Sequence, residues 1–280
     1  MILQRTDSRV VLLGLGLLLL ALLISCSSSA NRGTAAGTAA STPVYIPPDP
    51  SILRVGVSTN APPLIYKQGQ DIVGLEAEFA RGLAKYLGKS VHFVELDWQD
   101  QIPALLDGRT DIIMSGMSMT KMRRVRIAFS DPYFRTGQMA LIHKRDENRF
   151  SQGYYSILVL GAQLKIGVVK ATTGESYVKK NFGQARKISS FVTSREGVEA
   201  LKERKVDLFV HDAPVIFILA AESESEGLMV LPSLLSEEYL AWGIRKNDME
   251  LKESANRFIQ KLKDEGQLHT MVKRWVPYTR

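Results

Sequence analysis

Two charged residues far apart in the chain have types and settings that invite chemistry. Arg123 lies in a basic run with Lys121, Arg124 and Arg126. A guanidinium can grip a carboxylate through two parallel hydrogen bonds, which lysine cannot copy, or it can be one more solvated surface charge. Asp212 follows the apolar run Leu208-Phe209-Val210 and then His211. A carboxylate left unpaired beside a buried strand costs several kcal/mol, so it needs a ligand ammonium, a helix N-terminus or an internal salt bridge. His211 is open between ligand contact and packing. In Lys170-Ala171-Thr172-Thr173-Gly174-Glu175, Thr172 and Glu175 have capping-box spacing, and free N–H groups at such a helix start suit an anion or a carbonyl. It is no Walker loop, because the glycine is not followed by Lys and Ser or Thr. His92, His143, His211 and His269 show no metal-ligand spacing, and a single cysteine excludes a disulfide framework or a cysteine zinc cluster. No metal and no cofactor are expected.

The elements that hold these residues alternate between strand and helix. Leu53 to Val57 reads as a buried strand; Phe79, Leu83, Tyr86 and Leu87 share one helical face closed by Gly88; Val91 to Leu96 is a second strand; Ile102, Leu105 and Leu106 lie on a helix before the strand Asp111 to Met114. Such alternation implies a mainly parallel α/β sheet. The pattern then recurs. Arg54-Val55-Gly56-Val57 is echoed by Lys165-Ile166-Gly167-Val168, and Ala104 to Asp111 by Ala200 to Asp207, with Ser115-Gly116 and His211-Asp212 after the two following strands. Two similar lobes are expected, each presenting its post-strand pair to a shared cleft, since open α/β sheets bind ligands beyond the carboxyl ends of their strands. At the carboxyl end, Asn247 and Glu250 have capping-box spacing before a helix with Leu251, Ala255, Phe258 and Leu262 on one face.

The 280 residues are 45% hydrophobic and 23% charged, ordinary for a globular chain and unlike a disordered or multi-span membrane protein. The net charge of +7 is spread among interspersed acids and bases, without the basic run and exposed aromatics that nucleic acid requires. At the amino terminus, Arg5 and Arg9 precede the apolar run Val10 to Ile24. Fifteen helical residues reach roughly 22 Å, short of the bilayer core, so this reads as a signal peptide. It ends Leu23-Ile24-Ser25-Cys26 with the only cysteine, which resembles the bacterial lipobox and implies residues 1–26 as a lipoprotein signal and Cys26 as the lipidated residue. Residues 27–50, small, polar and finally proline-rich, read as a tether.

Several segments together resemble the family 3 solute-binding proteins that serve ABC importers. They are Gly74-Leu75-Glu76-Ala77-Glu78-Phe79, Trp98 with Ile102-Pro103-Ala104-Leu105, Asp111 to Thr120 with Arg123, and Phe129-Ser130-Asp131-Pro132-Tyr133-Phe134. The resemblance covers roughly Leu53 to Trp275. It implies an α/β fold of the type II periplasmic-binding-protein kind, with residues 51–140 plus 243–280 as one lobe, 141–242 as the other, and a two-strand hinge. It implies a monomer that binds a small polar amino acid outside the cytoplasm and hands it to a permease, touching the membrane only through its lipid.

In this reading Arg123 holds the ligand carboxylate, with Ser118 and the Gly116 backbone at the same end; Asp212 takes the ammonium; Trp98 is an aromatic wall; Thr173 contacts the ligand and His211 reaches its side chain. Two positions depart from the family pattern. Ser58 stands where many relatives have an acid, and Ala61 where they have an aromatic, which argues against cationic amino acids. The same fold also hosts secreted cyclohexadienyl or arogenate dehydratases, and an envelope-attached sensing module would suit the tether equally. The enzymes need a general acid in the cleft, and no glutamate of the sequence is marked for that role. Nothing in the pattern accounts for Tyr154-Tyr155-Ser156-Ile157. Replacing Cys26 by serine should release the folded protein from the membrane fraction with its ligand affinity intact, as fractionation and calorimetry would show; unchanged fractionation would exclude the lipid anchor.

Overall fold

The computed structural model describes residues 49–277. The expected signal segment, Cys26 and nearly all of the tether lie outside the described residues. Two five-stranded sheets carry the fold. In the first, Ser90–Glu95, Ile52–Val57, Ile112–Ile113, Gly243–Ile244 and Ala128–Phe129 lie side by side in that order. In the second the order is Lys187–Phe191, Lys165–Val169, Leu208–Asp212, Gln138–His143 and Leu228–Leu231.

The echoed segments are the central parallel strands of the two sheets, and they are pinned in the same way. Arg54 N–H donates to Asp111 Oδ2 at 2.9 Å, and Asp111 N–H returns a bond to the Arg54 carbonyl at 2.8 Å. In the second sheet Lys165 N–H donates to Asp207 Oδ2 at 2.7 Å, and Asp207 N–H to the Lys165 carbonyl, also at 2.7 Å. Each aspartate thus fixes where its strand starts, and so where its far end delivers Ser115-Gly116 or His211-Asp212.

Between the sheets the chain passes through two short strands, Phe134–Thr136 and Glu238–Leu240, which pair antiparallel with each other. The strand Gln138–His143 pairs antiparallel with Leu208–Asp212, so it already belongs to the second sheet from Gln138 onward. Two details differ from the sequence reading, and a third fills a segment it left without an account. Tyr86 is 42% exposed although it shares the face of the buried Phe79 and Leu83; its ring leans on Phe258 with centroids 5.6 Å apart. The helix Met249–Asp264 is capped by Asp248, whose carboxylate accepts from Leu251 N–H at 3.2 Å, one residue later than the Asn247 spacing suggested. Residues Tyr154–Leu160 form a short helix that buries Ser156 and Ile157 and exposes Tyr155, Leu158 and Val159.

Among the described residues no helix is long and apolar enough to cross a membrane. In the second sheet Phe209 is fully buried and its ring fills the space beside two glycines. A Cβ built on Gly197, in the helix Ser194–Lys202, would come 2.1 Å from Phe209 Cε2, and one on Gly167 would come 3.2 Å from Cδ2. Glycine to alanine inside a helix ordinarily stabilises by about 1 kcal/mol. Here overpacking, typically about 1–3 kcal/mol, opposes that gain, so Gly197→Ala should lower the denaturation midpoint. A raised midpoint would contradict the packing described.

Candidate functional site

The first wall of the site is the loop that leaves Ile112–Ile113. Gly116 has φ +66°, a conformation that L side chains rarely adopt, and a Cβ there would meet Leu64 Cδ1 at 2.8 Å. Its N–H donates to Glu76 Oε1 at 2.6 Å, and Ser58 N–H donates to Ser115 Oγ at 2.8 Å. Thr120 then caps the helix Lys121–Arg126, its hydroxyl accepting from Arg123 N–H at 3.1 Å. The cap turns Arg123 inward while Lys121, Met122, Arg124, Val125 and Arg126 stay exposed. The Arg123 guanidinium donates to the Ser118 carbonyl at 2.8 Å and lies 5.2 Å from the centroid of the Trp98 ring. Among the described residues no carboxylate comes within 4.0 Å of it. Burial lowers its pKa, and the charges of Asp212 and Glu238 oppose that.

The second wall comes from the other sheet. After Lys165–Val169, Thr172 caps the helix Thr173–Asn181, accepting from Glu175 N–H at 3.2 Å, while Glu175 accepts from Ala171 N–H at 2.7 Å. Asp212 ends its strand with 16% of its side chain exposed. Its Oδ1 accepts from Gln138 Nε2 at 2.5 Å. Burial, and then the charge of Glu238, push its carboxyl up to about 7. His211 is buried, its Nδ1 accepts from Asp212 N–H at 2.7 Å, and burial pushes its pKa down to about 4. It is therefore neutral at pH 7, and its 3.7 Å approach to Asp212 is no ion pair there.

Trp98, Gly116, Ser118, Arg123, Thr173, His211 and Asp212 all line one cavity, together with Ser58, Asn60, Ala61 and Ser194. Trp98 is only partly covered and so is not a packed core tryptophan. Two hydrogen bonds close the cavity across the sheets: Trp98 Nε1–H to the Ala171 carbonyl at 2.9 Å and Ser194 Oγ–H to the Asn60 carbonyl at 3.2 Å. The enclosed volume is about 30 Å³, room for a water or two. The arrangement sets one guanidinium against one carboxylate, with hydroxyls and an amide between them.

These features match a known family. The model of the bacterial extracellular solute-binding proteins, family 3, matches residues 53–278. The chain belongs to that family. It is similar to the arginine-binding extracellular protein ArtP of Bacillus subtilis, 28% identical over 80% of this chain and 85% of that protein. The ABC transporter glutamine-binding protein GlnH of Bacillus subtilis is 26% identical over 91% of this chain and 92% of its own. Among solved structures, the ancestral amino acid-binding protein AncCDT-1, a precursor of cyclohexadienyl dehydratase, superposes with a TM-score of 0.72 at 30% identity, covering 81% of this chain and 95% of the other. Membership bears out the resemblance carried by the Asp111 to Thr120 and Phe129 to Phe134 segments, and with it the α/β fold class. It makes this family 3 chain an extracytoplasmic binding protein, and the two curated relatives are themselves binding proteins, not enzymes.

Sequence reasoning missed three carboxylate and amide groups of the site. Gln138 and Glu238 lie just beneath the lining, and no local pattern marks them. Glu76 had a signal: it shares a helical face with Phe79, Ala80 and Leu83, all buried, in Leu75–Tyr86. Its Oε1 accepts from Gly116 N–H and Tyr133 Oη–H, each at 2.6 Å, and its Oε2 from Trp242 Nε1–H at 3.0 Å. Burial pushes Glu76 up to about 7.

These shifts fix a pH dependence of folding. Glu76 and Asp212 keep a proton in the folded chain above their ordinary values of 4.5 and 3.8, so stability falls as pH rises toward about 7. His211 and His143, both lowered by burial from 6.5, bind fewer protons folded than unfolded, which adds stability as pH rises to 6.5. The two raised carboxyls outweigh the one large histidine shift, so net stability should fall from about pH 5 to 7.5, and Glu76→Gln should remove part of that fall. Denaturation midpoints of the ligand-free protein across this range check it; a midpoint that climbs through the window would contradict the assignment.

Proposed function

We propose that this family 3 protein binds an α-amino acid in the cleft and delivers it to an ABC importer, held at the cell envelope by lipid on Cys26. The observation that carries the reading is the placement of Arg123 and Asp212. They come from opposite walls, face one cavity, and are not paired with each other within 4.0 Å. A zwitterion supplies the missing partner of each, its carboxylate to Arg123 and its ammonium to Asp212. Ser118 and the Gly116 loop border the carboxylate end, with the Ser118 hydroxyl and the Gly116 N–H already given to Glu238 and Glu76; Trp98, Thr173 and His211 bound the rest.

The remaining wall, Ser58, Asn60 and Ser194 with Ala61 and Leu64, offers hydroxyls and an amide and no further charge, which suits a small polar, neutral side chain. The names of the relatives include glutamine-binding and arginine-binding proteins, and Ser58 and Ala61 favour the former kind. An amino acid enters only when the Trp98–Ala171 and Ser194–Asn60 bonds part. The two short strands between the sheets act as the hinge of two lobes, the second taking up the chain from Gln138, and ligand spanning both lobes favours the closed form by its differential affinity.

Thermal shift and calorimetry over the amino acids test the reading. Ligand at a hundred times its Kd adds about 2.7 kcal/mol of stability. Truncating one partner of a buried, hydrogen-bonded charge pair costs about 2–5 kcal/mol, so Arg123→Ala and Asp212→Ala should each weaken binding roughly thirtyfold or more, at about 1.4 kcal/mol per tenfold. Folded variants that bind as tightly as the wild type would overturn it.

A further inference from the structure

Gln138 and Glu238 do not line the cleft, yet each is bonded to residues that do. Gln138 opens the strand Gln138–His143 and is 1% exposed; Glu238 opens Glu238–Leu240. Both stand where the chain passes from one sheet to the other. Ser118 Oγ–H donates to Glu238 Oε2 at 2.5 Å, and Ser236 Oγ–H to Glu238 Oε1 at 2.9 Å. The Gln138 amide Nε2 donates to Glu238 Oε1 at 3.0 Å, to Asp212 Oδ1 at 2.5 Å and faces Thr173 Oγ1 at 3.1 Å. A residue of the first wall, Ser118, is thereby linked to two of the second, Asp212 and Thr173, through side chains carried on the two connecting strands.

We propose that Glu238 and Gln138 are positioning residues, which hold Ser118 and Asp212 in register across the cleft and tie the ammonium-binding carboxylate to the hinge. The proposal rests on the reading of the cavity as an amino-acid site. The amide itself shows what the cluster demands. Nε2 has two hydrogens and three acceptors around it, whereas Oε1 is buried with no partner among the described residues. A flipped amide would set its oxygen against two carboxylates. The two acids therefore dictate the orientation of Gln138, at the expense of an unsatisfied buried acceptor.

Glu238 also supplies a charge. Among the described residues no cation stands within 4.0 Å of it, so its field falls on Arg123, His211 and Asp212. The charged and titratable groups facing Asp212 are Arg123 from its helix, Glu238 from the return strand, Tyr133 from the outgoing segment and His211 beside it. Of these, Glu238 is the acid beside Asp212 that opposes its ionisation, and Gln138 and Arg123 favour it.

Glu238→Gln removes the charge and keeps an acceptor for Ser118. In the ligand-free protein, a carboxyl ¹³C titration, with the Asp212 signal assigned by Asp212→Asn, should show the Asp212 midpoint near pH 7 in the wild type and about one unit lower in Glu238→Gln. Calorimetry with L-glutamine, L-histidine and L-arginine between pH 5 and 9 should show the low-pH loss of affinity moving by the same amount, a shift that a purely structural defect would not produce. Gln138→Leu should instead lower affinity about tenfold at every pH, with the melting temperature checking that it folds. An Asp212 midpoint unmoved in Glu238→Gln, or a Gln138→Leu that folds and binds as tightly as the wild type, would overturn the proposal. If none of the standard amino acids binds the wild type, the amino-acid reading falls, and the carboxyl titration still decides whether Glu238 governs Asp212.

Discussion

A carboxylate taken out of water must find donors or give up its charge, and Glu76 is where this chain meets that demand. It sits at the start of a helix, fully buried, and its three donors come from Gly116, Tyr133 and Trp242. Those donors belong to the cleft loop, to the segment that leaves the first sheet, and to the segment that returns to it. One side chain thus ties the ligand-facing loop to both connections between the sheets. Gly116 spends its N–H on Glu76, which fixes the loop's direction and leaves Ser118 to reach Glu238 and the cleft. The Tyr133 and Trp242 rings stack at 5.7 Å beside Phe79, so polar satisfaction and aromatic packing fix the same corner.

The sheets were legible in the sequence because their instructions are local. A glycine-containing apolar strand, a helix, and an aspartate before the next strand recur, and in both sheets that aspartate captures the N–H at the start of the preceding strand. The connections were not legible. Phe134–Thr136 and Glu238–Leu240 are three residues each, too short for periodicity to speak, and they exist through pairing across about a hundred residues of chain. The cap at Asp248 shows the same limit on a smaller scale: Asn247 and Asp248 are both good caps, and only backbone geometry chooses between them. Tyr154-Tyr155-Ser156-Ile157 gained a partial account, with Ile157 buried and the Tyr154 hydroxyl donor or acceptor to that of Tyr177 at 3.2 Å.

The site divides along the same line. Gly116, Ser118, Arg123, Thr173, His211 and Asp212 follow strands or helix starts, where an open α/β sheet presents its ligand groups, so type and position together pointed to residues that line one cavity. Glu238 sits in Ser236-Glu237-Glu238-Tyr239, where Glu237 has the same composition-level appearance. Glu237 lies exposed against Arg135 at 2.8 Å, whereas Glu238 turns inward to Ser118 and Gln138. The strand's alternation separates two adjacent acids into a surface ion pair and a cleft support, and nothing short of knowing the strand's partner reveals which is which.

Closure and charge recognition then become one event. With Glu238 beneath it, Asp212 resists ionisation until something positive approaches, and Arg123 stands too far away to be that partner. Two acids facing one guanidinium leave the closed cleft short of positive charge, and the Ser118, Ser236 and Gln138 donors relieve only part of that. On the proposed reading an ammonium brought in by the ligand supplies the rest, while its carboxylate completes Arg123. Coulomb interactions strengthen as water leaves, by severalfold between bulk water and the surface-like dielectric of a partly buried pair. In that reading the cleft therefore gains most from the zwitterion when the two walls close around it and exclude water. A simple carboxylate would satisfy only Arg123 and a simple amine only Asp212, each leaving the opposite charge buried without its partner, so the same closure would disfavour both.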